Sequence, residues 1–157
     1  CQALSPILTF TADEAWEYLP GVPKGESVHA TDWKLAQAPC SAEEREAWNR
    51  LMKLRDVALP ELEKARQAKL IGKSLEAKVT LTATAAELPQ SDAGRESLRE
   101  LLNVSQLELI ESNAPVTAGV VRAQGQKCER CWRWETTVGR HPEHPTICSR
   151  CVEAVTA

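Results

Sequence analysis

Two cysteine motifs, KCERCWRW at residues 127–134 and CSRC at residues 148–151, decide how this part of the chain folds. The four cysteines of these motifs are Cys128, Cys131, Cys148 and Cys151. Residues 132–147 separate the two pairs, a spacing typical of paired knuckles that bind one Zn²⁺. Because two C-x-x-C turns complete a tetrahedron and leave no position for water, the sequence predicts one structural zinc.

Other interpretations of the cysteines remain open. Two disulfides would need an oxidising compartment, and nothing in the sequence indicates secretion. A redox C-x-x-C should open a helix after a strand, and the presence of two pairs favours metal. His141 and His144 offer an alternative set of two cysteines and two histidines, although their spacing is short and each precedes a proline. Cys1 and Cys40 have no partner motif, and we interpret them as ordinary core or surface thiols.

Basic residues flank the predicted zinc ligands. Arg130 and Arg150 occupy the same third position of the two motifs, and Lys127 precedes the first motif. We expect their charges to offset the negative charge of four thiolates and to favour the ionised sulfurs. Since residues 127–157 hold little apolar content, metal binding should supply most of this module's folding free energy.

The composition is that of a globular protein of one or two domains, with 43% hydrophobic and 26% charged residues among 157. No apolar run approaches the ~20 residues of a membrane span, so we expect no transmembrane segment and no membrane partner. We also expect the protein to be monomeric and cytoplasmic. The chain begins with Cys1, and residues 4–10 resemble the middle of a packed element. We therefore expect a piece of a longer protein, and the catalytic part of that protein, if it has one, would lie outside this piece.

Charge is distributed unevenly along the sequence. The net charge is −3, which argues weakly against nucleic-acid binding. However, residues 64–78 hold five basic side chains and one acidic side chain, whereas residues 87–113 hold six acidic side chains and two basic ones. A basic surface beside an acidic one is therefore predicted, with Arg66, Lys69 and Lys73 available for phosphates. The alternative is a solvated helix end without a ligand.

The first part of the chain, residues 1–40, is predicted to be helical and to end in a connector. Thr11 or Asp13 could cap a helix that runs to residues 18–19, and residues 20–25 form a turn cluster. The connector is residues 26–40, with Trp33 packed against a neighbour. The inward-facing positions are predicted to be Ile7, Phe10, Ala15 and Trp16.

The second part, residues 41–125, is predicted to begin with a long helix. Ser41 and Glu44 fit a capping box, and Pro60 predicts a kink or restart. Gly72 is the predicted C-cap, and Arg66 and Lys69 should share one face of the helix. The residues predicted to face the core are Trp48, Leu51, Met52, Leu59 and Leu62.

Alternation with a period of two then predicts a half-buried strand over 77–83, with Ala77 and Leu81 among its inward positions. Ser91 should open a helix over 92–102, followed by strands over 106–111 and 119–123. The predicted fold class is therefore α+β, with a helical N-terminal part, a small mixed sheet with a helix, and a four-cysteine zinc finger over 126–157.

Two tryptophans and an arginine follow the first knuckle directly. An exposed Trp132 beside Arg133 is well suited to stacking on unpaired bases. The alternative is structural, with Trp132 packed over the zinc core and Trp134 plugging the sheet. Zinc knuckles also bind proteins or simply brace a fold, so the knuckles alone do not decide between these roles.

Three stretches resemble the C-terminal region of bacterial isoleucyl-tRNA synthetases. LSPILTFTADEAW at residues 4–16 resembles the end of the anticodon-binding helical domain of class I synthetases, and AKLIGKSLEA at residues 68–77 resembles the stretch that follows it. The KCERCW and CSRC motifs are similar to that family's C-terminal zinc finger. The three matches occur in the family's order and together cover most of the chain.

This resemblance implies a parent enzyme that joins isoleucine to its tRNA using ATP. It implies that this part performs no chemistry, and neither class I signature, the His-x-Gly-His type or the Lys-Met-Ser-Lys-Ser type, is found. By the resemblance, Arg130, Trp132 and Arg133 would contact the anticodon arm of the isoleucine tRNA, and the cysteines would bind zinc. We expect Lys127, together with Arg66, Lys69 and Lys73, to meet the phosphates. The remainder of the parent chain is a further predicted partner.

Two other functions remain as alternatives. The finger also resembles that of base-excision DNA glycosylases, where it grips duplex DNA. Those proteins place a helix-two-turns-helix region before the finger, whereas strands are predicted here. A protein-interaction module with an incidental basic face is the other alternative.

Overall fold

A computed structural model describes residues 1–33 and 39–156, which form two compact units, residues 1–40 and residues 41–157. The helices are α1 Thr9–Glu17, α2 Ala42–Gln67, α3 Asp92–Leu102 and α4 Ser149–Thr156. The strands are β1 Ala77–Ala83, β2 Gln106–Glu111, β3 Thr117–Arg122, β4 Gln126–Lys127 and β5 Trp134–Glu135. Short 3₁₀ turns occupy Val28–Ala30 and Ser74–Glu76. This mixture confirms the predicted α+β class.

Within the first unit, a carboxylate joins α1 to the 3₁₀ turn. Asp13 Oδ1 accepts hydrogen bonds from Ser27 Oγ at 2.7 Å and from the Val28 backbone N–H at 2.9 Å. The prediction that Thr11 or Asp13 caps a helix is wrong, because α1 starts at Thr9 without a side-chain cap. Asp13 instead stabilises the start of the neighbouring turn.

Several predicted inward positions of the first unit are wrong. Ile7 and Phe10 are 78% and 89% exposed and Ala15 is exposed, whereas Trp16 is half-buried with its indole nitrogen covered. Residues 2–7 form turns and α1 starts only at Thr9, so the helical spacing assumed from residue 1 has the wrong phase. Trp33 is 57% exposed and lines a small pocket with Val28 and His29, so its packing against a neighbour is only partial. Residues 34–38 of the predicted connector lie outside the described residues.

The long helix α2 begins as predicted. Ser41 Oγ accepts from the Glu44 N–H at 3.1 Å, and Glu44 Oε2 accepts from the Ser41 N–H at 2.8 Å, which completes the capping box. The helix continues through Pro60 without a restart. Its buried face consists of Leu51, Leu54, Ala58, Leu62 and Ala65.

The prediction that three further residues of α2 face the core is wrong. Trp48, Met52 and Leu59 are 51%, 41% and 37% exposed. Consecutive helical residues are separated by about 100° around the axis, so Met52 points well away from the direction of Leu51. The apolar stripe predicted from the sequence therefore mixes the core face with a flanking face.

The end of α2 also differs from the prediction. The helix ends at Gln67, and Lys69 adopts the left-handed conformation with φ 58°. Leu70 N–H donates to Ala65 O and Lys69 N–H donates to Arg66 O, both at 3.0 Å, which is the Schellman pattern. Gly72 is therefore not the C-cap, and Lys69 does not share a helical face with Arg66.

The sheet of the second unit has the order β2–β1–β3, with β1 parallel to β2 and antiparallel to β3. The inward side chains of β1 confirm the predicted alternation, and they pack in one core with α2 and α3. These fully buried residues are Ala77, Val79, Leu81 and Ala83. α3 is capped by Ser91 as predicted, while β3 begins at Thr117 instead of residue 119. Within the described residues, no helix is both long and apolar enough to cross a membrane.

Candidate metal centre and nucleic-acid interface

The first knuckle is the tip of a small hairpin made by β4 and β5, in which Lys127 pairs with Trp134. The Cys128 N–H donates to Arg133 O at 2.9 Å, and the Trp132 N–H donates to Cys128 O at 2.9 Å. Gly125 enters the hairpin with φ 94°, where a Cβ would stand 2.4 Å from Glu135 O. The hairpin therefore requires glycine at this position, both for backbone conformation and for space.

The second knuckle lies at the start of α4. The N–H groups of Cys151 and Val152 both donate to Cys148 O, at 2.9 and 3.0 Å. The Cys148 N–H in turn donates to Cys128 Sγ at 3.4 Å. The beginning of the helix thus directs Cys148 and Cys151 toward the first knuckle.

The four sulfurs of Cys128, Cys131, Cys148 and Cys151 lie within 4.8 Å of one another. Cys131 Sγ and Cys148 Sγ are 3.8 Å apart. A tetrahedron of sulfurs around zinc, with bonds of roughly 2.3 Å, has edges of about 3.8 Å, so the donor set fits the metal. His141 Nε2 instead contacts Ser149 Oγ at 3.1 Å, and neither histidine belongs to the cluster.

The surroundings of the cluster affect its thiols unequally. Burial raises the pKa of Cys128, but backbone N–H groups of Cys131, Cys148 and Arg130 outweigh it and lower that pKa to about 6. Burial raises the pKa of the Cys148 thiol to about 12. A divalent cation at the centre of the cluster would favour the ionised form of every sulfur.

The two arginines act across the cluster. Arg130 Nη1 lies 3.7 Å from Cys151 Sγ, and the sulfur of Cys131 raises the pKa of Arg150 through a hydrogen bond. Each third-position arginine therefore serves a sulfur of the opposite knuckle. This crossed arrangement was not predicted, because the motif shows the position of each arginine but not its direction.

A groove of about 360 Å³ lies beside the zinc finger. Its lining residues are Lys73, Leu75, Glu76, Lys127, Trp132 and Trp134. Trp132 is 62% exposed and has a left-handed backbone with φ 64°. The groove brings together three residues that are predicted to contact RNA. Lys73 follows α2, whereas Lys127 and Trp132 belong to the zinc finger.

The other predicted RNA-contacting residues lie outside the lining of this groove. Arg133 is buried to about nine-tenths and pairs with Glu96 Oε1 at 3.2 Å and Glu100 Oε1 at 3.4 Å. Arg66 pairs with Glu63 and donates to Ser74 Oγ at 3.0 Å.

Trp134 is half-buried, with the Arg122 guanidinium 5.4 Å from its ring centre. Lys69 follows the end of α2 and is exposed, as is Arg130. The RNA contacts of Arg66, Lys69, Arg130 and Arg133 stay predictions.

Comparison with known proteins finds two families along the chain. Residues 1–81 match the family described as the anticodon-binding domain of tRNA ligase. The chain belongs to this family. Residues 125–154 match a second family, described as the zinc finger found in FPG and IleRS. This match and the four-cysteine cluster confirm the prediction of one structural zinc.

The chain is also similar to individual isoleucine–tRNA ligases, which confirms the predicted resemblance. It is 45% identical to the one from Exiguobacterium sibiricum, over 98% of this chain and 17% of the ligase. The ligase from Bacillus cereus AH187 is 42% identical over 97% of this chain and 18% of the ligase. That from Syntrophotalea carbinolica is 39% identical over 98% and 18%. The chain therefore spans less than a fifth of the length of these relatives.

Proposed function

We propose that this chain is the tRNA-binding, anticodon-end part of an isoleucine–tRNA ligase. The longer protein would attach isoleucine to its tRNA using ATP, as a monomer in the cytoplasm, and its catalytic residues would lie outside this chain. The family matches and the short share of each ligase that the chain spans support this proposal. The proposal also includes the division of the chain into residues 1–40, residues 41–125 and a zinc finger over 126–157.

The observation that carries the proposal is the groove that Lys73, Lys127 and Trp132 line together. An exposed indole offers a stacking surface to an unpaired base, and lysines attract the adjoining phosphates. An anticodon loop presents both features, because its bases are unpaired and its backbone is continuous. Arg66, Lys69, Arg130 and Arg133 are retained as predicted contacts around this groove.

We propose that Cys128, Cys131, Cys148 and Cys151 are the zinc ligands and that the metal is structural. It would hold the knuckle from which Trp132 projects, while the protein groups make the contacts with RNA. Metal analysis should find about one zinc per chain, and Cys128→Ser or Cys151→Ser should lose it. Cys1→Ser, a change in the other unit, should retain full zinc. Freshly prepared protein with disulfides in place of zinc would contradict this assignment.

RNA binding is tested by titrating the zinc-loaded chain with three fluorescent ligands. These are the anticodon stem-loop of an isoleucine tRNA, the same stem with a scrambled loop, and duplex DNA of equal charge. We expect the first to bind most tightly, because only its loop offers the bases that the groove reads. Preference for duplex DNA would favour the repair-type finger, and failure to bind any of the three would favour a protein-interaction module.

A further inference from the structure

A single hydroxyl lies beneath the groove. Ser105 lies immediately before β2 and is 0% exposed. Among the described residues, it is the polar residue that is buried. Its Oγ accepts a hydrogen bond from the Trp134 N–H at 2.7 Å and donates one to Leu75 O at 2.5 Å. One side chain therefore bonds to two segments that are distant in sequence.

Those two segments form the two walls of the groove. Leu75 belongs to the connection between α2 and β1, which also carries Lys73. Trp134 belongs to the hairpin of β4 and β5 in the zinc finger (the finger hairpin), which also carries Lys127 and Trp132. The Ser105 hydroxyl thus joins the wall that carries Lys73 to the wall that carries Lys127 and Trp132.

Neighbouring groups fix Ser105 in turn. Arg99 Nη1 donates to Ser105 O at 3.1 Å. The side chain of Gln106 forms a pair of hydrogen bonds with the backbone of Gln124, at 2.9 and 3.1 Å, just before the finger hairpin. Hydrogen bonds at Ser105 and at the next residue therefore hold in place the hydroxyl that joins the two walls.

We propose that Ser105 is a positioning residue for RNA binding, whose hydroxyl sets the separation between the two walls of the groove. This inference rests on the proposed function. With the walls in register, Lys73 and Lys127 meet phosphates of the same loop while Trp132 meets its base. Without the hydroxyl, the Trp134 N–H and Leu75 C=O lose their partner, and the hairpin shifts or admits water to satisfy them.

The test is Ser105→Ala, compared with the parent chain and with Ser91→Ala. Ser91→Ala removes the cap of α3 and should lower stability without touching the groove. We expect Ser105→Ala to weaken binding of the anticodon stem-loop about five- to tenfold while keeping its zinc. Its binding should also depend less on salt, by roughly one phosphate contact, although no charge has been removed. Ser91→Ala should leave both quantities unchanged.

Hydrogen exchange of the Trp134 amide provides a readout without RNA, and we expect it to accelerate in Ser105→Ala but not in Ser91→Ala. If both variants keep the parent's affinity and salt dependence, Ser105 is only structural and the proposal is wrong. Should Ser105→Ala fail to fold, Gln106→Ala loosens the same junction at a partly exposed site, and it should reproduce the lower salt dependence. Parent chain that binds no RNA refutes the proposed function, while unchanged Trp134 exchange refutes the bridge itself.

Discussion

The guanidinium of Arg130 lies against the sulfur of Cys151 in the other knuckle, with 3.7 Å between Nη1 and Sγ. A zinc ion held by four thiolates leaves excess negative charge on the sulfurs, and a hydrogen-bond donor reduces it. Because Arg130 projects from the hairpin and Cys151 lies in α4, this contact also joins the two knuckles directly. Arg150 and Cys131 repeat the arrangement in the opposite direction.

Arg130→Met should therefore weaken zinc retention. Loss of a group that supports a metal ligand typically lowers metal affinity about 10- to 100-fold, and we expect the lower end because Arg130 is exposed. The rate of zinc transfer to a chromogenic chelator measures the effect. Arg140→Met, an exposed arginine in the same module, is the control and should release zinc at the parent's rate.

Trp132→Ala should lower affinity for the anticodon stem-loop without changing the salt dependence of binding. The loss of one stacked base costs roughly 1–3 kcal/mol. Alanine keeps a side chain in the same left-handed backbone, so the comparison isolates the indole ring. Fluorescence anisotropy at several salt concentrations gives both quantities.

The control for this variant is Trp48→Ala, which removes a comparably exposed tryptophan from α2, outside the groove. It should bind as the parent does. If Trp132→Ala keeps its zinc and its full affinity, the stacking role is wrong.

Lys69→Gly and Lys69→Ala should separate charge from backbone conformation. Both remove the same charge, so both should lower the salt dependence of RNA binding by roughly one phosphate. Only glycine relieves the left-handed backbone at φ 58°, and it should stabilise the second unit by about 0.5–1 kcal/mol relative to alanine. Thermal unfolding measures this difference, and equal midpoints for the two variants would contradict it.

Gly125→Ala should disrupt the finger hairpin. The new Cβ would stand 2.4 Å from Glu135 O and 2.7 Å from Thr136 N, on a backbone with φ 94°. We expect a loss of more than about 1–2 kcal/mol of stability, with weaker zinc binding, because main-chain atoms cannot move aside freely. Gly119→Ala meets nothing within 4 Å and should be close to neutral in the same unfolding experiment.

Protonation of Asp13 at low pH should weaken its hydrogen bonds to Ser27 and Val28 in the first unit. Hydrogen bonds from the Ser27 hydroxyl and then the Val28 N–H hold the pKa of Asp13 below its ordinary value of 3.8. Since the folded pKa is the lower one, the carboxylate's stabilisation is present above pH 3.8 and is lost as the pH falls through the folded value. The Val28 amide chemical shift should titrate with a midpoint below 3.8, and Asp13→Asn should abolish this titration. A midpoint at or above 3.8 would contradict the prediction.

Local patterns predicted the elements that local chemistry determines. The capping box of Ser41 and Glu44 and the alternation along β1 depend on neighbours a few residues away, and both are confirmed. The sulfur cluster was predicted because each C-x-x-C pair is local and the spacing between the two pairs is typical of a zinc site. Lys69 could not be predicted as the left-handed residue that follows α2, because glycine usually takes this position and Gly72 is close by.

The arrangement of the groove depends on tertiary contacts that have no sequence signature. Ser105 is one serine among several, and only the fold brings Leu75 and Trp134 to its hydroxyl. Arg133 follows an exposed tryptophan and has the sequence context of an RNA contact. The acidic side chains of Glu96 and Glu100, more than thirty residues earlier in α3, pair with its guanidinium, and the sequence around Arg133 does not indicate these contacts.

The central position of β1 bears on how the protein is made. Both strands that pair with β1 come later in the chain, and its parallel partner begins only at Gln106. During translation, the apolar row that includes Val79 and Leu81 emerges from the ribosome before either neighbouring strand has emerged. Such non-local pairing forms slowly and leaves strand edges open in the meantime. Nascent chains that have emerged from the ribosome only as far as residues 83–106 should therefore be the ones that chaperones engage, and the finger, which emerges after β3, joins a sheet that is already complete.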